Sequence, residues 1–523
     1  MYLADQRVIP QAHPSARQAA GFEAVMLGHC GGKADLTQLR SDTLAEIRAL
    51  GLVEEATELK RMQTAKAKTD VPADVQTDAR ASEALEYLYN IPLPVLSLAD
   101  FQALFPRATQ WRASYKSQLA GDCYWLAKAV ADFFNERQSV AGGLITGVKK
   151  LWIIRVDEAL GQKGFLPDAQ CNLTDISSLK GLHLALLPPG AGLIAMPDLE
   201  RLQIPQHLPD IPRVRLQNPA PAFLPCSQQQ PADDGHRERR NKDEMPINTV
   251  PWSTQKIAGH IIDPIHKYRP DMQCLWSLAL QDESSSGSPA ISTAALDDLT
   301  LLRNSSRYQR GLHRMQFVFP YLRSNNQLYS ASGLLAGKIA SQSIAAGAWR
   351  SIAGLALGDN ALPYPPVDYR VAAQLRETHG IGLVLRQAGK IYLDDERLAS
   401  PYTPKYGQAL RDTSAQRSGE FVRFMGFLQR QLHRLGENTL FSLDPLDPRP
   451  RLLLEQFFNR LHEQGALRGR VAELAYNIEQ ITSAENTLKF EIQIAPAFAI
   501  DRIYLSFSHQ RGENSLTLNV ERF

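Results

Sequence analysis

Residues that anchor chemistry are scarce in this sequence, and their scarcity narrows the function first. Only five cysteines occur in 523 residues, Cys30, Cys123, Cys171, Cys226 and Cys274. They are odd in number, far apart and without a C-x-x-C pair, which argues against both a disulfide framework and a zinc site. They read as reduced thiols buried like small apolar side chains. No run of about 18 apolar residues appears, and the opening MYLADQRVIPQAHPSARQ has no apolar signal core. The expectation is a chain kept in the cytoplasm of the producing cell, with no membrane insertion. Excess charge is missing too: 57 Lys and Arg stand against 55 Asp and Glu, a net +2. Without a basic field, direct nucleic-acid binding is not expected.

Catalytic signatures are also lacking. No H-E-x-x-H, G-x-S-x-G or calcium-loop pattern is present. The nearest approach to a phosphate loop is SGLLAGKI, where Gly333 stands one residue too close to Gly337-Lys338 and Ile339 replaces the magnesium-binding hydroxyl. GHCGGK, residues 28–33, is too short for a dinucleotide fingerprint and reads as a turn after a strand. Asp394-Asp395 fall in a polar stretch and read as solvated acids. His260 and His266 flank Asp263, but a metal there would need a third ligand that the sequence does not offer. No catalytic residue, cofactor or metal is expected, and the chain reads as a non-enzyme.

What is present is a large apolar fraction, 44%, in a chain long enough for two to four domains. Residues 22–28 form a short apolar run, and 36–61 read as helical. Ser97, with Asp100 three residues on, is a candidate helix N-cap that would turn Phe101, Leu104 and Phe105 inward. Leu126, Val130, Phe133 and Phe134 recur at helical offsets in 124–135, followed by a β-branched and aromatic strand over 150–157 and a second apolar strand within 182–199. Between 203 and 287 the character turns to Pro, Gln and charge, including HRERRNKDE, and reads as a solvated surface insertion. In 418–436 the residues Phe421, Phe424, Met425, Leu428, Leu432 and Leu435 share one helical face ended by Gly436. Another helix is expected over 450–464, and strands over 471–478, 487–494, 500–507 and 515–520.

The most distinctive stretch is 329–358, YSASGLLAGKIASQSIAAGAWRSIAGLALG. Gly333, Gly337 and Gly347 permit close backbone approach, and the intervening alanines offer a surface that another backbone can touch almost directly. This stretch resembles the contractile tail sheath family, in which a Tyr-Pro-Trp-like strand end leads into P-[PS]-S-G-x-x-A-G-x-x-A. Here Phe319-Pro320-Tyr321 precedes Ser330-Ala331-Ser332-Gly333, Ala336-Gly337 and Ala340. Other family motifs follow in the same order. Ala129-Val130, Phe133-Phe134, Asn135 and Arg155-Val156 match a helix–strand pair, although Gly142-Gly143 is displaced by Glu136-Arg137. Met196-Pro197-Asp198 matches a strand end, 465–469 (GALRG) a helix–strand turn, and Ala495-Pro496 the start of the last core strand, with Ile500-Asp501 where the family favours Ala-Glu. The likeness covers about 91–199 and 312–510.

The resemblance implies an α/β (α+β) fold, a sheath-type core of mixed sheets flanked by helices with extended arms and an inserted outer region. The expected division is an N-terminal arm (1–20), the first part of the core (21–200), a surface-exposed and partly disordered insertion (201–311), a C-terminal core domain (312–510) and a C-terminal arm (511–523). The implied role is a sheath subunit that polymerises in helical rings around an inner tube and contracts to drive it through a target envelope. Its partners would be further copies or sheath paralogues, the inner tube, and baseplate and terminator or cap proteins, all within an assembled phage tail or injection particle. Sheath subunits lend terminal strands to a neighbour's sheet, a main-chain interaction indifferent to side-chain identity. The subunit-interface candidates are therefore Gly333, Gly337, Gly347, Leu505, Phe507, Leu516, Leu518 and Val520. Two other readings stay open: a sheath-like adaptor or baseplate component that does not polymerise, and an enzyme with a site in 201–311.

Overall fold

A computed structural model describes residues 21–67, 85–109, 124–136, 148–168, 170–204, 251–281, 290–324, 327–358, 361–400, 417–439, 449–482, 488–497, 502–510 and 513–521. Its strands are β1 (Gly21–Gly28), β2 (Leu93–Val95), β3 (Val148–Arg155), β4 (Ala191–Ala195), β5 (Gln273–Ser277), β6 (Met315–Phe319), β7 (Tyr321–Ser324), β8 (Gln327–Tyr329), β9 (Leu362–Tyr364), β10 (Gly382–Gln387), β11 (Lys390–Leu393), β12 (Tyr476–Thr482), β13 (Leu488–Ile494), β14 (Arg502–Gln510) and β15 (Glu513–Glu521).

Eight of them form one mixed sheet in the order β11-β10-β6-β5-β4-β1-β3-β2. The six inner strands run parallel, and β2 and β11 pair antiparallel at the two edges. Parallel strands covered on both faces read as continuous rather than alternating apolar runs. That is the pattern of β4 and β6, and every residue of β4, β5 and β6 is buried. The helices Trp125–Asn135 and Ser332–Ala346 pack side by side on one face. The crossovers from β4 to β5 and from β5 to β6, through Thr254–Tyr268 and Thr293–Asn304, advance in the opposite direction from β1 to β3. Right-handed crossovers then place those two helices on the other face.

This topology corrects the expectation for 201–311. Its polar composition suggested a surface insertion, yet β5 is a central strand of the large sheet, and Ile257, Ala258, Ile261, Ile262 and Ile265 are buried. The reading failed because a short strand and an amphipathic helix followed a long polar stretch and were averaged with it. The stretch 205–250 lies outside the described residues, as do the N-terminal arm, 1–20, and the displaced Gly142-Gly143. Within 182–199 the chain makes a helical turn, Leu182–Ala185, before β4, and Pro197 opens a short helix, Pro197–Arg201.

A second body follows. The helices Gly419–Thr439 and Arg449–Glu463 and the antiparallel sheet β12-β13-β14-β15 enclose a separate apolar core that includes Phe421, Phe424, Leu428, Leu454, Phe458, Phe490 and Ile492. The expected 312–510 domain therefore divides: β6 and β10–β11 complete the large sheet, and the second body begins at about 417. The first helix of this body runs past Gly436 to Thr439, and Ala472–Ala475 is helical before β12 begins. Residues 513–521, within the expected C-terminal arm and overlapping its expected strand, pair as β15 with β14 in the same chain. A small third sheet, β8-β7-β9, connects β6 to the 332–346 helix.

Local signals behave as their chemistry dictates. Ser97 Oγ accepts the Asp100 N–H at 3.1 Å, Asp100 Oδ2 accepts the Leu96 N–H at 3.2 Å, and Phe101, Leu104 and Phe105 are buried. The Ser97 hydroxyl thus satisfies a first-turn donor, and Asp100 reaches back past the cap to the residue before it.

Candidate functional site

In open α/β sheets, ligands bind at the carboxyl ends of parallel strands where the strand order reverses. Here that place lies beyond β1 and β4, and the chain's own acids fill it. Asp198 leaves the end of β4 on the short helix Pro197–Arg201. Its Oδ2 accepts the N–H groups of His29 at 2.9 Å and Leu126 at 3.0 Å, and Oδ1 accepts that of Trp125 at 2.8 Å. The carboxylate thus occupies the helix N-terminus, where unpaired amides would otherwise attract a phosphate or substrate carboxylate. Gly28 makes room for it, since a Cβ there would lie 2.6 Å from Asp198 Oδ2 and from Leu126 Cβ.

Two residues on, Glu200 Oε1 accepts the Ser277 N–H at the end of β5 at 2.7 Å. Its Oε2 accepts the Ser332 hydroxyl at 3.3 Å, and Ser330 donates to Ser332 at 2.6 Å. Burial pushes the Asp198 carboxyl up to about 6 and the Glu200 carboxyl up to about 7, against the hydrogen bonds that favour their ionised forms. Burial, then the nearby charges of Arg201 and Arg155, lowers the His29 imidazole to about 3, and burial raises the Cys30 thiol to about 12. The Asp198 and Glu200 carboxyls thus form a brace that joins β1, β4 and β5 to two helices. Sequence reasoning missed this brace. The signal was two acids, Asp198 and Glu200, directly after an all-apolar strand.

The glycine candidates make close contacts within the chain. A Cβ at Gly333 would lie 2.5 Å from Ala129 Cα, and one at Gly337 would lie 2.7 Å from Phe133 Cα. These glycines let the 332–346 helix meet the 125–135 helix backbone to backbone. Gly347 ends the helix with φ +101 beneath the Trp349 ring. The close contact inferred from the spacing of Gly333 and Gly337 is thus made between two helices of the same chain. Gly333 and Gly337 also lie within a helix, where no phosphate loop can form. The five terminal candidates lie on the last two strands, in the register Leu505 with Leu518, Phe507 with Leu516, and Val520 with Ile503.

Other sequence candidates disperse. Asp263 pairs with Arg307 at 2.5 Å, and His260 packs against the Trp252 ring, 5.3 Å between centroids. No group of three or more His, Cys, Asp or Glu that could hold a metal ion occurs among the described residues. Asp394 is not a solvated acid: it is largely buried, accepts the Leu383 N–H at 2.7 Å and pairs with Arg376 at 3.2 Å. No helix among the described residues is long and apolar enough to cross a membrane.

At the other end of the molecule, β12 and β15 are the outer strands of the terminal sheet, and each pairs on one side only among the described residues. An outer strand of this kind presents a row of N–H and C=O groups to a further strand.

No protein-family model matches the chain, and no curated protein matches it. Among solved structures the chain is similar to the sheath complex of an extracellular contractile injection system (PVC) in its contracted state, at 11% identity over 79% of this chain and 86% of that one, TM-score 0.42. It is similar to the contracted helical sheath of the anti-feeding prophage, at 14% identity over 83% and 85%, TM-score 0.43. It is also similar to the sheath tail protein of Desulfitobacterium hafniense, at 10% identity over 49% and 53%, TM-score 0.35.

Proposed function

We propose that this chain is a structural subunit of a contractile sheath, whose copies stack in helical rings around an inner tube and contract to drive the tube through a target envelope. Its partners in this reading are further copies of itself or sheath paralogues, the tube, and the baseplate and cap proteins at the two ends. Assembly would begin in the producing cell and end in a tail or injection particle. The ordered run of motifs from Ala129-Val130 to Ala495-Pro496 supports the reading at the level of sequence.

The single observation that carries it is the terminal sheet with its two outer strands, each paired on one side only among the described residues. A sheath needs neighbouring copies joined by bonds that persist while the subunits slide, and strand addition to a sheet edge supplies them through the backbone. The filled crevice agrees with a scaffold role, since its acids are committed to holding helices on strands. Contraction in this reading needs no nucleotide: the assembled state is metastable, and the contracted lattice buries more complementary surface.

Deletion of residues 516–523 tests the proposal. The truncated chain should sediment as a folded subunit and form no ordered polymers under conditions where the full chain does. Ordered tubes from the truncated chain would exclude strand exchange through β15, and a full chain that stays monomeric in the presence of its tube would favour the non-polymerising adaptor.

A further inference from the structure

The helix Gly419–Thr439 has two working faces, and only one is apolar. Phe421, Phe424, Leu428 and Leu432 are buried in the second body's own core. On the opposite side, Gly419, Arg423, Gly426 and Arg430 recur at offsets of four, three and four, which aligns them along one stripe. That stripe meets the large-sheet body at two points.

At the first point, Arg423 forms a two-pronged pair with Glu396, Nη1 to Oε1 at 2.6 Å and Nη2 to Oε2 at 2.7 Å, with the side chains 4% and 0% exposed. Glu396 follows β11 and also accepts the Ser351 hydroxyl at 2.9 Å and the Ile352 N–H at 3.1 Å. The Gly419 N–H donates to the Glu396 carbonyl at 2.8 Å. At the second point, Arg430 Nη1 donates to the Asp271 carbonyl at 2.7 Å and to its Oδ2 at 3.2 Å, just before β5. Arg269 holds the same carboxylate at 2.8 and 2.9 Å while donating to the carbonyls of Leu186, Pro188 and Ala191. The glycines set the spacing. A Cβ at Gly426 would overlap the Asp271 carbonyl, and one at Gly192 of β4 would lie 2.5 Å from Arg430 Nη2.

We propose that Arg423 and Arg430 are a two-point latch that sets the orientation of the C-terminal body on the large-sheet body, and that releasing it undocks that body as a folded module. The separation of the two apolar cores is the reason. Where bodies share one core, apolar burial fixes their arrangement without directional preference. Here Trp349 and Leu398 are the side chains that reach into the second core from the large-sheet side. Directionality comes instead from the planar, bidentate Arg423–Glu396 pair, which tolerates little displacement, with Arg430 on the Asp271 carbonyl and carboxylate as the second anchor. Buried pairs of this kind contribute little net stability relative to apolar replacements and serve best to specify one arrangement.

The test uses the full chain carrying Arg423→Gln and Arg430→Gln, read by hydrogen exchange. Exchange should accelerate about tenfold or more at the amides that cross the latch, Leu398 and Gly419, while Ile153 and Ile194 of the large sheet and Ile492 of the terminal sheet stay protected. Trp349, whose ring lies 6.0 Å from that of Phe424, should report the same release by a fluorescence change. Equal loss at all these amides would mean one cooperative body, and no loss would mean that apolar contact alone fixes the arrangement; either result overturns the latch. If the double variant does not accumulate, Arg423→Lys, which keeps the charge and loses the fork, is read in the same way with the same two overturning outcomes.

Discussion

Replacing Gly337 by alanine sets two well-characterised effects against each other. In the middle of a helix, alanine is favoured over glycine by about 1 kcal/mol, so an isolated 332–346 helix would gain from the change. In the folded chain the new methyl would lie 2.7 Å from Phe133 Cα, 2.8 Å from the Phe133 carbonyl oxygen and 3.0 Å from that of Asp132. All three are backbone atoms, which cannot rotate away as a side chain could. Relief requires the two helices to part by about 1 Å, and a gap of that size forfeits a quarter to a half of each dispersion contact along the seam. Overpacking of this sort costs about 1–3 kcal/mol or more. The packing effect therefore outweighs the propensity gain, with a net loss of up to about 2 kcal/mol. The half-buried Ser343 provides the control, because alanine there gains a few tenths of a kcal/mol from propensity with no backbone in the way. Urea unfolding followed by circular dichroism would measure both changes as midpoint shifts at constant slope. A Gly337→Ala protein more stable than wild type would refute the backbone-to-backbone contact.

Three further outcomes follow from the buried polar groups and the cap. Glu200→Gln should gain stability over wild type as pH rises, because burial holds the native carboxyl at about 7 against an ordinary 4.5. The native state's advantage from that protonated acid is complete below 4.5 and disappears as pH rises through 7, so the variant should match wild type near pH 5 and exceed it by about 1–3 kcal/mol near pH 8. A difference independent of pH would contradict this. Asp198→Asn should shift the same dependence to lower pH, since that carboxyl is raised only to about 6, and it should also loosen the start of the 125–135 helix as read by exchange at Trp125 and Leu126. Ser97→Ala removes an N-cap acceptor and should cost about 1 kcal/mol in thermal unfolding; an unchanged midpoint would mean that the Asp100 amide has another acceptor.

Much of the fold was legible where one physical signal dominated. The 125–135 helix, β3, the Ser97 cap and the Phe421–Leu432 face all announce themselves through periodicity or capping chemistry. The glycine stripe was legible as a device for close approach, but sequence could not say which backbone would approach; the partner, Ala129 to Phe133, lies some two hundred residues away in the chain. β5 was missed because five residues, beginning with glutamine and ending with serine, carry no period strong enough to separate them from polar surroundings. The Asp198–Glu200 brace and the Arg423–Arg430 stripe were missed for a related reason. A charged residue on a helix ordinarily reads as a solvated face, and only tertiary placement of a carboxylate or an amide opposite it reveals burial. The interface candidates on β14 and β15 stand on register alone; the sequence anticipated each strand but not the pairing between them.

The central claim is that copies of this chain build a sheath, and negative-stain electron microscopy of the purified protein, alone and co-expressed with the products of neighbouring genes, tests it most directly. The account predicts long hollow tubes of stacked, cogwheel-like rings whose bore accommodates an inner tube. Monomers under both conditions would contradict it and leave the fold to a non-polymerising role.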